Sequence, residues 1–258
     1  MTSLPFAGKA ALVTGAARDR GIGRGIALAL AERGADVAVS DIAQPEEASR
    51  RVLEIERFGR RAVFVQADVS QPEENVRLVG EVVERLGRLD VFVANAGVAR
   101  WQRLTEATHD DWDSIMGVNL HGVIYGCLAT AAHMRRHDGG AIVVTSSVNA
   151  VMPFTPLGFY GASKHAVGLL VGVMAREWAD DGISVNHVGP GWVDTNINDP
   201  SPDFETEEKR AAVRGSIPFG HRSADPREIG EAVACLAAST YTTGAYLRVD
   251  GGLVIGKY

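Results

Sequence analysis

Cysteine is scarce: 258 residues hold two, Cys127 and Cys235, so no disulfide framework is available. Neither lies at CxxC or metal-ligand spacing. Both fall inside apolar helical patterns, and buried free thiols in a reducing compartment are expected. No cluster of His, Cys and carboxylates stands at ligand spacing, so no metal site is expected, and His187 reads as a hydrogen-bonded strand histidine. A positive surplus is also missing. Lys and Arg number 26 against 32 Asp and Glu, a net charge of -6, which argues against a nucleic-acid or anionic-membrane partner and favours a small-molecule substrate. No segment reads as apolar enough to span a bilayer, and MTSLPFAGKAALVTG lacks the basic-then-apolar pattern of a secretion signal. The cytoplasm is the expected compartment. Repeats, low-complexity tracts and interdomain linkers are absent as well.

What is present is alternation. Short β-rich runs at Ala10–Thr14, Asp36–Asp41, Arg61–Ala67, Val91–Asn95, Ala141–Ser146, Ser184–Val188 and Tyr246–Val249 are separated by longer helical patterns. Those patterns lie near Gly23–Arg33, Pro45–Phe58, Glu73–Leu86, Asp110–Arg136, Tyr160–Asp180 and Pro226–Ala238. Alternation of this kind encodes an α/β fold, a doubly wound parallel seven-stranded sheet with helices on both faces. The expectation is one domain over residues 1–258. A breaker-rich insertion at Asn196–Phe219, with a helical patch at Glu205–Arg214, is expected to be a mobile substrate loop carrying a solvated acidic patch.

Two stretches carry chemistry. The first is Gly15-Ala16-Ala17-Arg18-Asp19-Arg20-Gly21-Ile22-Gly23, a turn between a strand and a helix. Its glycines let backbone approach a pyrophosphate, whose charge the N–H groups of the helix start receive. Asp41, eighteen residues past Gly23 at the end of the second strand, is placed to accept the adenosine ribose hydroxyls. A carboxylate there repels a 2′-phosphate by up to ~4 kcal/mol at ~4 Å, favouring NAD over NADP. Arg18 and Arg20 in the same turn would offset part of that repulsion.

The second stretch joins Ser147 to Tyr160 and Lys164. Residues i and i+4 share a helix face, so Lys164 is expected to hold its charge beside the Tyr160 phenol. A unit charge at ~4 Å in an effective dielectric of ~20 is worth ~4 kcal/mol, enough to bring a phenol from ~10 to near neutrality, where proton transfer is most efficient.

With these residues assembled, the chain resembles the short-chain dehydrogenase/reductase family over essentially its whole length. The resemblance also rests on Asp68-Val69, Asn95-Ala96-Gly97, Asn119, Ser146-Ser147, Pro190-Gly191-Trp192-Val193-Asp194-Thr195 and Thr243-Gly244 with Val249-Asp250-Gly251-Gly252. It implies a single-domain Rossmann fold, a homotetramer and a proton relay through Asn119, Ser147, Tyr160 and Lys164. Ser147 and Tyr160 would bind the substrate oxygen, Lys164 the nicotinamide ribose, and Asn119 a water leading to solvent. Asp68 and Val69 would hold the adenine. Asn95, Ala96 and Gly97 would support the cofactor, and Pro190, Gly191, Val193 and Thr195 would fix the nicotinamide carboxamide. Asn149, Met152, Phe154, Trp192 and Trp101 are candidate walls of a largely uncharged substrate pocket.

Family members usually place three residues between the first glycine and the following Gly-x-Gly, whereas five intervene here, Ala16 to Arg20. The reaction implied is hydride transfer between NAD and a secondary alcohol or ketone, with a sugar, polyol or similar hydroxy compound favoured by Ile217 to Ile229. The alternatives are a 3-oxoacyl-carrier-protein reductase and a non-catalytic cofactor sensor. Asp41 and the absence of a basic docking surface oppose the first, and the complete tetrad opposes the second.

Overall fold

Seven apolar runs become β1 (Ala10–Thr14), β2 (Asp36–Asp41), β3 (Ala62–Gln66), β4 (Val91–Ala94), β5 (Gly140–Thr145), β6 (Ile183–Pro190) and β7 (Tyr246–Val249). All are parallel in one sheet, ordered β3-β2-β1-β4-β5-β6-β7. The computed structural model describes residues 4–43, 45–201, 203 and 205–255, apart from the Glu47 side chain; Pro202 and Phe204 of the insertion lie outside the described residues.

Strand periodicity splits the core in two. Ala11 and Val13 of β1 face the layer made by α1 (Ile22–Glu32), α2 (Pro45–Glu56) and α8 (Pro226–Ala238), where Ile26, Leu30, Ile55, Ile229 and Val233 are buried. Leu12 faces the opposite layer, built by α3 (Pro72–Leu86), α5 (Gly122–Met134) and α6 (Gly158–Glu177) with Leu78, Val82, Val123, Cys127, Val167 and Val171. Covering both faces explains why the central strands read as unbroken apolar runs. The insertion contains α7 (Glu207–Gly215), two residues later at its start than the sequence pattern suggests. β6 runs longer than expected at both ends, because pairing with β5 starts at Ile183 and pairing with β7 extends to Pro190.

The expected single helix Asp110–Arg136 is interrupted. α4 (His109–Met116), begun by a Thr108/Asp111 capping box, passes through a π-helical turn at Gly117–His121 into α5. The helical stretch His109–Met134 contains an 18-residue window with a mean hydropathy of 1.4 and is by length and composition apolar enough to cross a membrane, contrary to the sequence expectation. Here its apolar side is core: Val123, Cys127, Ala131 and Met134 pack on the sheet. Cys235 also departs from expectation, lying on the outer face of α8 and exposed, whereas Cys127 is buried with its thiol pushed up to about 12 by desolvation.

Candidate active site

The order β2-β1-β4 reverses the winding direction at β1/β4, and in open parallel sheets ligands bind outside the carboxyl ends of strands at such a point. A cleft of about 880 Å³ opens there, reaching from Asp41 and Asp68 past Gly15 and Gly97 to Tyr160 and Trp192.

The glycine turn is shaped by close backbone packing. A side chain on Gly15, whose φ is +64°, would bring its Cβ to 2.8 Å from Ala96 Cα. A Cβ on Gly23 would overlap the Gly15 carbonyl, so Gly23 supports the turn from beneath while Gly15, Arg18, Gly21 and Ile22 line the cleft. Thr14 stitches this turn to the next strand: its hydroxyl accepts from Asn95 N at 3.0 Å and Ala96 N at 3.1 Å. Asn95 Nδ2 returns the link to the carbonyls of Thr14 and Gly15, at 2.9 and 3.2 Å. α1 starts at Gly21 with no side-chain cap and no acid in its first turn, whereas α4 and α8 have capping boxes. Its N–H groups and positive dipole end are thus free of an internal anion, which suits a pyrophosphate.

Asp41 is almost fully buried, its Oδ2 accepting from Ala17 N at 3.1 Å and its Oδ1 from Ala43 N at 3.3 Å. Asp68 accepts from the Ser70 N–H and hydroxyl, and Val69 packs under Gly122. Arg20 does not stand free beside Asp41. It pairs with Asp194 at 2.8 Å and with Asp199, which leaves Arg18 as the cation of the turn with no ion pair among the described residues.

At the other end, α6 carries Tyr160 and Lys164 beneath Ser147. Lys164 is 3% exposed; its Nζ donates to the Thr145 carbonyl at 2.9 Å and lies 5.7 Å from the Tyr160 ring centre. Desolvation lowers this lysine to about 8. The expected depression of Tyr160 does not occur: burial raises the phenol above its usual value, and the hydrogen bond with Ser147 opposes that only in part. At this depth the lysine's own desolvation competes with the charge it was expected to lend.

Ser147 is held from both sides, its Oγ accepting from Asn149 N at 3.1 Å and its carbonyl from the Tyr246 hydroxyl at 2.9 Å. Tyr246 has no motif to mark it. Only pairing of β7 with β6 brings it there, against Gly189, where any side chain would overlap its ring. His187 stacks on Tyr246 at 4.6 Å; its Nδ1 finds no hydrogen-bond partner among the described residues, contrary to the expected hydrogen-bonded histidine, and burial lowers it to about 4.

Asn119 sits in the π turn, fully buried behind the cleft wall rather than on it. Its amide clamps Val98 through both backbone groups, at 2.8 and 2.9 Å, and donates to Ser163. A Cβ on Gly97 would lie 3.3 Å from Asn119 Oδ1 and 3.5 Å from Lys164 Nζ, so these two atoms flank Gly97.

Trp101, Phe154 and Trp192 form an aromatic wall of the cleft, the two indoles stacked at 6.0 Å and Phe154 edge-on to Trp192. Met152 packs on the Val148, Ile217 and Leu253 cluster and does not line the cleft. Asn149 does line it, with a buried Nδ2 that has no hydrogen-bond partner among the described residues. Pro190, Gly191, Val193 and Thr195 form the floor after β6. The acidic patch beyond is not simply solvated: Asp199 pairs with Arg20, Glu205 with Lys209 and Glu207 with Arg214.

A family model described as enoyl-(acyl carrier protein) reductase matches residues 15–254. The chain belongs to the short-chain dehydrogenase/reductase family. It is 36% identical to a 3beta-hydroxysteroid dehydrogenase of Eggerthella lenta, over 96% of this chain and 94% of that protein. It is likewise 36% identical to an L-rhamnose 1-dehydrogenase (NAD(P)(+)) of a Sphingomonas species, over 96% of this chain and 97% of that one. A short-chain type dehydrogenase/reductase from Mycobacterium marinum superposes with a TM-score of 0.91 at 33% identity, covering 98% of each chain. As a member of this family the protein is an NAD(P)-dependent oxidoreductase acting on CH–OH groups.

Proposed function

We propose that the protein oxidises an uncharged secondary alcohol, in a sugar, polyol or similar small hydroxy compound, with NAD as the hydride acceptor. One observation carries this reading: Ser147, Tyr160 and Lys164 line the same cleft as the uncapped start of α1 and the buried Asp41. The glycine turn, the free helix start and Asp41 suit a dinucleotide, which when bound supplies the hydride-accepting nicotinamide. Gly15, Gly21 and Ile22 would face the pyrophosphate, Asp68 and Val69 the adenine, and Thr195 the carboxamide.

The chain's own residues manage the proton. Ser147 donates to the substrate oxygen and holds it against Tyr160, which takes the hydroxyl proton as the carbon is oxidised. Tyr160 acts here as the phenolate and becomes the neutral phenol on taking that proton; Lys164 stabilises the phenolate before the transfer, and Asn119, by fixing Val98, holds Gly97 beside it. Burial of Tyr160 and Lys164 keeps both nearer their neutral forms until a charged partner arrives.

The aromatic wall supports an uncharged ring that lays its apolar face on Trp192, with Asn149 lining the cleft nearby. NAD is favoured because Asp41 is held in place by two backbone donors while Arg20 is occupied elsewhere. We also infer one domain with a substrate loop at residues 196–219 that closes over the site, a cytoplasmic location and a homotetramer. Leu128 of α5 and Leu169 and Val173 of α6 present exposed apolar surface that fits the last of these.

The test is reduced-nicotinamide absorbance with a panel of sugars, polyols, cyclic alcohols and ketones, using NAD and NADP. Turnover with a ring alcohol and a higher kcat/KM for NAD is expected, with Asp41→Ala narrowing the cofactor gap. No turnover across the panel would leave the cofactor-sensor reading in its place.

A further inference from the structure

The two residues that end the lengthened glycine turn, Asp19 and Arg20, each reach a different part of the molecule. Asp19 accepts from Arg51 at 2.6 Å and from Arg50 at 3.3 Å, both on α2. Arg51 is fully buried and also pairs with Glu54, whose carboxylate takes both Nε and Nη2 of Arg24 on α1, at 3.0 and 3.1 Å. This side of the turn is anchored to the layer beneath the adenosine end of the cleft.

Arg20 turns the other way. Its Nη2 donates to Asp194 Oδ1 at 2.8 Å and its Nη1 reaches Asp199 Oδ2 at 3.4 Å. Its carbonyl accepts from the Asn196 N–H at 3.1 Å. Asp194 and Asn196 are the two neighbours of Thr195, so the side chain of Arg20 grips the residue before Thr195 and its main chain grips the residue after. The far side of the same short turn, Asn196–Asn198, is held by Trp101 Nε1 donating to the Ile197 carbonyl at 3.1 Å.

We infer that Arg20 is a positioning residue that sets Thr195 at the nicotinamide end of the cleft. The lengthened turn thereby ties the pyrophosphate region to the start of the substrate loop. Asp19 is the fixed end of this strap and Arg20 the working end. The inference rests on the proposed contact between Thr195 and the carboxamide. Arg20, Asp194 and Asp199 are each about half exposed or more, so the effect belongs to the few-fold class of exposed ion-pair networks.

The experiment compares binding of NAD with binding of ADP-ribose, which lacks the nicotinamide, to the whole protein by calorimetry. Arg20→Gln is expected to weaken NAD about three- to five-fold and leave ADP-ribose within about two-fold of wild type. Arg20→Lys should recover part of the loss, and Asp194→Asn should reproduce it. Combining Arg20→Gln with Asp194→Asn should cost little more than either alone, since both remove the same contact. Equal weakening of both ligands would overturn the inference, making Arg20 a pyrophosphate ligand. Unchanged NAD affinity in both single variants would also overturn it, provided Thr195→Val still lowers the NAD to ADP-ribose preference. If Thr195→Val leaves that preference unmoved, the carboxamide assignment itself falls.

Discussion

Tyr160, proposed as the proton carrier, is also the residue whose environment departs most from its sequence expectation. A charge one helical turn away argues for a depressed phenol, but burial acts on both groups and raises Tyr160 while lowering Lys164 to about 8. The phenol is therefore a proton donor at rest and becomes an effective base only when the cleft stabilises its anion. Tyr160→Phe is expected to lower kcat by at least about a hundred-fold, the usual worth of a positioned acid/base, while NAD affinity stays within a few-fold. Rate measurements that retain more than about a tenth of wild-type turnover would assign the proton to another group.

His187 supplies the second residue-scale expectation. Its folded value of about 4 lies below the ~6.5 of an unfolded histidine, so between these values the unfolded chain binds a proton that the folded chain refuses. The stability tied to His187 is complete above pH ~6.5 and drains away as pH falls toward 4, by at most ~3 kcal/mol. Urea melts of wild type and His187→Gln at pH 7 and pH 5 check this; the variant should lose less on acidification.

Elements meet here through small residues. α1 and α8 cross so closely that a Cβ on Gly230 would overlap the Gly25 carbonyl, and one on Gly25 would overlap Pro226. Gly230→Ala should cost ~2–3 kcal/mol, since backbone cannot yield as a side-chain end can. Thermal melts should show a fall of several degrees, against a small rise for Gly80→Ala in α3, where nothing stands within 4 Å. The π turn at Gly117–His121 is the other element-scale feature: it brings Asn119 behind Gly97, and π turns are commonly retained where function needs a side chain re-aimed. Helical periodicity alone does not reveal it, because the apolar pattern continues on either side.

On the scale of the whole molecule, the exposed Leu169 and Val173 of α6 stand four residues apart on one face, and Leu128 of α5 adds to the apolar surface. An assembly that covers these residues is expected, with tetramer mass in sedimentation at micromolar concentration. A stable monomer would remove the tetramer from the description. The proposed substrate loop is less free than its charge suggests. Its start is gripped by Arg20 and Trp101, and Ile217 near its end is buried with Val148, Leu253 and Val254.

Alternating apolar runs, the Gly15–Gly23 turn, Asp41 and the Ser147/Tyr160/Lys164 set were legible in the sequence because each is a local pattern with a local physical cause. They determined the parallel sheet and the two groups of residues that line opposite ends of one cleft. Tyr246 behind Ser147, buried Arg51 beneath Asp19 and the turning of Arg20 toward Asp194 were decided only in three dimensions. Each joins segments far apart in the chain, and so does the balance of burial and charge at Tyr160, because desolvation depends on what the whole fold packs around a group.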